Sequence, residues 1–69
     1  MNTILIIDDE PGVRSVLKDI LEDENYRVFT ADNGYAGLAL LEKEAIDLVI
    51  LDVWMPNMGG IDVLKKIKE

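Results

Sequence analysis

The sequence predicts an α/β fold around a small parallel sheet, and three observations carry that prediction. Ile4-Leu5-Ile6-Ile7 and Leu48-Val49-Ile50-Leu51 are short, unbroken aliphatic runs, the pattern of strands buried on both faces of a parallel sheet. Strand-like segments beginning near Thr3, Tyr26 and Asp47 alternate with helical patterns, as βα units do. Both aliphatic runs end abruptly in acid, Asp8 and Asp9 after the first and Asp52 after the second.

Each element follows from its residues. The first strand is the run from Thr3, and the first helix is expected near Pro11, because proline suits the first helical position. Val13, Val16, Leu17, Ile20 and Leu21 then recur on a single helical face, and Asn25 is the expected stop. The second strand, Tyr26-Arg27-Val28-Phe29-Thr30-Ala31, mixes polar and apolar residues as an edge strand does. Tyr26 and Phe29 are expected to fill the core or the edge. The second helix opens after Asn33-Gly34 and carries Ala36, Leu38, Ala39, Leu40 and Leu41. After the third strand, a third helix is expected near Gly59-Gly60, presenting Ile61, Leu64 and Ile67.

Polarity also orders the strands. The first and third are almost purely aliphatic and belong in the centre, which places the second outside and gives the order 2-1-3. The chain then reverses across the sheet between strands 1 and 3, where open α/β sheets bind ligands at the carboxyl ends of their strands. Asp8, Asp9 and Asp52 therefore converge on one crevice.

Composition narrows what that crevice does. The 69 residues allow one small domain; 14 are acidic and 7 basic, for a net charge of −7. That balance argues against nucleic-acid or anionic-membrane binding by this segment, since both need clustered Lys and Arg. No cysteine means no disulfide and no thiolate site, and no histidine means no imidazole ligand. No run approaches the roughly 20 apolar residues of a membrane span, and no signal-peptide pattern opens the chain. A soluble, cytoplasmic chain is expected. A core below roughly 70–80 residues rarely supplies more than about 3–5 kcal/mol, so a metal or self-association is expected to help.

Clustered carboxylates repel one another unless a cation or proton intervenes. A hard, all-oxygen set points to Mg²⁺, with the paired Asp8 and Asp9 suited to the metal and the lone Asp52 suited to act as nucleophile. In phosphoryl transfer the cation neutralises charge on the transferred group while the protein fixes geometry. Read more plainly, the same aspartates would only end strands and begin loops.

The segments Ile4-Leu5-Ile6-Ile7-Asp8-Asp9-Glu10-Pro11 and Leu51-Asp52-Val53-Trp54-Met55-Pro56-Asn57-Met58-Gly59-Gly60 resemble the two hallmark segments of the receiver domain of two-component response regulators. The resemblance covers all 69 residues but only about the first half of such a domain. It implies a flavodoxin-like, three-layer αβα parallel sheet, here shortened to about (βα)3. It also implies that Asp52 accepts a phosphoryl group from a sensor histidine kinase or histidine phosphotransfer protein. Asp9 and Asp52 would hold Mg²⁺ directly, Asp8 largely through water, and the backbone carbonyl of Trp54 would add a ligand. Met55 and Pro56 would shape that loop, and Gly60 would permit its close turn. Gly59 departs from the family, where a polar residue is common.

A complete receiver supplies a Ser or Thr from its fourth strand, and a Lys and an aromatic residue from its fifth; none of these positions occurs in this sequence. The closing Lys65-Lys66-Ile67-Lys68-Glu69 contains no helix-stopping residue, so the expectation is a truncated, partial receiver domain spanning 1–69. It would be a phosphoacceptor regulatory domain rather than an enzyme, with phosphorylation and switching impaired. The alternative is a self-associating half-domain without signalling activity, paired as a homodimer through strand 3 in a sheet ordered 2-1-3-3′-1′-2′. Arg14 and Lys18 are expected on a solvated face of the first helix. Trp54 reads equally as a partner-binding anchor or as a side chain beside the metal loop.

Overall fold

Aliphatic side chains at every position from Ile4 to Ile7 leave that segment no polar face, so it can only sit in the middle of the sheet. The structure is a computed structural model that describes residues 2–52, 65 and 66. In it β1 (Thr3–Ile7) is buried along its whole length. It pairs in parallel with β2 (Arg27–Ala31) on one side and β3 (Leu48–Leu51) on the other. The order is β2-β1-β3, as the contrast in strand polarity predicts. Ile7 lies opposite both Ala31 and Leu51, so Asp8 and Asp52 leave the sheet side by side.

Two strand boundaries differ by one residue from those read in the sequence, for local reasons. The Tyr26 N–H bonds the Leu21 carbonyl at 3.1 Å and so belongs to the end of the preceding helix. Asp47 instead brackets the start of β1: its amide donates to the Thr3 carbonyl at 2.8 Å, and its carboxylate accepts from the Thr3 N–H at 2.7 Å.

α1 (Pro11–Asp23) begins with proline in its first turn. It ends where Asn25 takes a left-handed φ of 68°, letting its N–H reach the Glu22 carbonyl at 3.0 Å. Together with the Tyr26–Leu21 bond this satisfies two carbonyls that the helix end would otherwise orphan. α1 packs on β1 and β2, but it turns only one edge of its apolar stripe inward. Leu17 and Leu21 are half-buried, whereas Val13, Val16 and Ile20 are 43%, 58% and 54% exposed.

α2 (Gly34–Lys43) is capped by Asn33, whose side-chain oxygen accepts from the Ala36 N–H at 2.8 Å. Its Ala36, Leu38, Leu40 and Leu41 pack with Phe29, Val49 and Leu51 against the buried Leu5, Ile7 and Ala31. Alternation along β1 turns Ile4 and Ile6 to the opposite face, where Ile4 shares a hollow with Leu21, Tyr26 and Leu48. Phe29 is half-buried, with the Arg27 guanidinium 4.9 Å above its ring. The expected third helix and its Ile61, Leu64 and Ile67 lie outside the described residues.

α2 lies close against the sheet at buried Gly37, where an added Cβ would stand 2.8 Å from Ile7 Cγ1. That is too close for any real contact, and Ile7 is itself fully buried. Gly37→Val is therefore expected to destabilise the fold by about 1–3 kcal/mol through overpacking, read as a lower urea midpoint. An unchanged midpoint would show that α2 can lift off the sheet without loss.

Candidate functional site

The two aliphatic strands end level with each other, and the backbone hydrogen bonds continue one residue past both ends. The Asp8 N–H donates to the Ala31 carbonyl at 3.1 Å, and the Asp52 N–H donates to the Ile7 carbonyl at 3.0 Å. Each aspartate thus hangs from a fixed backbone position while its side chain clears the sheet. One carboxylate oxygen from each of Asp8, Asp9 and Asp52 lies within 4.8 Å of the others, and all three residues are half-buried. Sheet register brings together the three acids that the sequence places at strand ends.

The donor set fits a hard divalent cation. Mg²⁺ takes oxygen ligands at about 2.0–2.1 Å in an octahedron, so ligands on opposite sides stand roughly 4.2 Å apart. Oxygens gathered within 4.8 Å need little movement to serve it, directly or through a retained water. Asp8 already has one oxygen engaged, since its Oδ1 accepts from the Glu10 N–H at 3.0 Å, the local turn that a short acidic side chain favours. The Trp54 carbonyl and the loop residues Met55, Pro56 and Gly60 lie outside the described residues.

Arg14 is placed differently from the solvated face read in the sequence. It is half-buried, and its Nη1 donates to the Asp8 carbonyl at 2.6 Å. Helical side chains lean back toward the N-terminus, so a long one in the first turns of α1 reaches the loop that precedes the helix. That rule was the available signal. Lys18, one turn further on, is exposed as expected.

Residues 4–69 match the family model of the response regulator receiver domain. The chain belongs to this family. Such receivers are regulatory domains of two-component systems. The chain is 45% identical over 65 residues to sporulation initiation phosphotransferase F of Bacillus subtilis, covering 94% of this chain and 52% of that protein. It is similar in structure to the chemotaxis protein CheY4 of Vibrio cholerae, with a TM-score of 0.96 and 35% identity. That match covers 99% of this chain and 57% of the other. It is likewise similar to the response regulator TrrA of Thermotoga maritima in complex with Mg²⁺-BeF, with a TM-score of 0.93 and 43% identity over 99% of this chain and 59% of that one. TrrA is also known in complex with the histidine kinase ThkA. This receiver thus spans about half the length of the phosphotransferase and somewhat more of the two solved chains. The likeness bears out the flavodoxin-like fold. Among the described residues no helix is long and apolar enough to cross a membrane.

Proposed function

We propose that this receiver takes a phosphoryl group onto Asp52 from the phosphohistidine of a sensor kinase or a histidine phosphotransfer protein, with Mg²⁺ at the crevice. The observation that carries this reading is the gathering of Asp8, Asp9 and Asp52 within 4.8 Å at the strand ends. An Asp52 carboxylate oxygen attacks phosphorus, the P–N bond to the donor imidazole breaks, and the imidazole leaves with a proton, giving an acyl phosphate on Asp52. Asp9 and Asp52 would hold the cation, with Asp8 acting largely through water as the family resemblance implies; its Oδ1 already accepts from the Glu10 N–H. Bound there, Mg²⁺ offsets negative charge on the transferred group. Backbone bonds from Asp8 and Asp52 to the sheet keep both acids oriented as the donor arrives.

The complexes of TrrA, with a histidine kinase and with Mg²⁺-BeF, support the same chemistry for this chain, and its net charge of −7 disfavours direct nucleic-acid binding. The reading places it in the cytoplasm. Assayed without the Ser or Thr and the Lys that a complete receiver adds from later strands, these 69 residues are expected to take up phosphoryl slowly and to switch poorly. Native mass spectrometry after incubation with acetyl phosphate tests this. Mg²⁺-dependent gain of one phosphoryl mass per chain supports it; no gain in long incubations overturns it.

A second reading has its own observation. Leu48 on β3 is 54% exposed, and among the described residues β3 pairs only with β1. A bare aliphatic edge is a template for another chain. In isolation the 69 residues are expected to sediment as a homodimer joined through β3 about a two-fold axis. A monomer at micromolar concentration in ultracentrifugation removes this reading.

A further inference from the structure

Asp8 and Asp9 stand on a three-residue connection, Asp8–Glu10, between β1 and α1. Presenting two carboxylates to a small cation requires that connection to hold still, because groups behind the direct ligands set how well the ligands bind. Two ties come from the backbone nearby, the Asp8 N–H to Ala31 and the Glu10 N–H to Asp8 Oδ1. The third is Arg14. Its Nη1 reaches the Asp8 carbonyl at 2.6 Å, a short distance typical of charge-assisted bonds. Its own backbone N–H is held by the Glu10 carbonyl at 3.1 Å. Arg14 therefore ties the loop at two points, through its guanidinium to Asp8 and its backbone to Glu10, beside a polar hollow of about 250 Å³ that it lines with Pro11, Ser15, Lys18 and Thr30.

We propose that Arg14 is a positioning residue of the metal site: by holding the Asp8 carbonyl it sets the Asp8 and Asp9 carboxylates in their cation-binding arrangement. This rests on the reading of the three acids as a Mg²⁺ site. Charge and geometry predict opposite signs here. A guanidinium near the site repels a divalent cation, so on charge alone its removal tightens Mg²⁺ binding. If Arg14 positions the loop, its removal weakens binding even though a repelling charge has gone.

Calorimetric titration of the full chain with Mg²⁺, paired with thermal melts, separates these outcomes. Arg14→Ala and Arg14→Met are expected to bind Mg²⁺ about tenfold more weakly than the wild type, at the lower end of what such supporting groups contribute. Arg14→Lys, which keeps a charged donor, is expected to recover part of the loss. Arg14→Met retains the aliphatic stem and is the variant to read if the alanine chain does not fold. Affinity equal to or tighter than wild type in folded Arg14→Met overturns the proposal, even with a lowered melting temperature, because a purely structural role ends there. A wild-type chain that binds no Mg²⁺ at millimolar concentration instead refutes the metal reading itself, and the role of Arg14 falls with it.

Discussion

Asp52→Asn is expected to abolish phosphoryl uptake while leaving the sheet intact. The substitution keeps the shape of the side chain and does not touch the Asp52 N–H, whose 3.0 Å bond to the Ile7 carbonyl anchors the end of β3. It replaces an anionic oxygen with a neutral amide, which is a far poorer nucleophile toward phosphorus. It also removes one of three negative charges gathered within 4.8 Å, so the melting temperature should hold or rise slightly while Mg²⁺ affinity falls. Asp8→Asn makes the useful contrast: under the proposed roles, with Asp8 supporting the cation and Asp52 making the bond, it should weaken Mg²⁺ binding and slow uptake without eliminating it. Mass spectrometry of the intact chains, followed by peptide mapping, reads both variants. Wild-type uptake by Asp52→Asn would move the phosphoacceptor to Asp8 or Asp9.

Leu5→Ala is expected to unfold most of the chain. Leu5 is fully buried in the central strand and lies in register between Phe29 and Val49, so its truncation leaves a cavity walled by both neighbouring strands. Such changes cost about 2–5 kcal/mol, and a core of this size supplies only about 3–5 kcal/mol in all. Val16→Ala, at a position 58% exposed on α1, should change stability by no more than about 0.5 kcal/mol. The difference between these two aliphatic truncations is what burial contributes. Urea titration followed by circular dichroism measures it. A cooperative Leu5→Ala transition within about 1 kcal/mol of wild type would mean that stability does not reside at the centre of the sheet.

Much of the fold was legible because the signals are local. Continuous aliphatic runs mark β1 and β3, Pro11 and Asn25 bound α1, and Asn33-Gly34 marks the start of α2 to within one residue, with Gly34 already inside the helix. Strand order was legible because polarity separates the fully buried β1 from the mixed β2, although the aliphatic β3 is no more buried than β2 among the described residues. Less legible was how much of each helix the sheet would cover. The stripe Val13, Val16, Leu17, Ile20, Leu21 has the spacing of a buried face, but periodicity cannot say which part meets the sheet; only Leu17 and Leu21 turn toward it. Asp47 and Arg14 were missed for a related reason. Each acts on backbone of another segment, Thr3 in one case and Asp8 in the other; the backward lean of helical side chains points Arg14 toward its loop, whereas no spacing rule points Asp47 to Thr3.

The sequence by itself determined which acids end which strands, because an aliphatic run that stops at aspartate marks the place where the chain leaves the core. It also determined the hard, oxygen-only character of the site, since no cysteine or histidine is present to change it. Only the tertiary structure decided that Ile7 pairs with Leu51, so that Asp8, Asp9 and Asp52 fall within reach of one ion. It alone closed the Arg14 bond that steadies them. Register and side-chain reach depend on how separate segments pack, and packing depends on contacts between residues far apart in the chain.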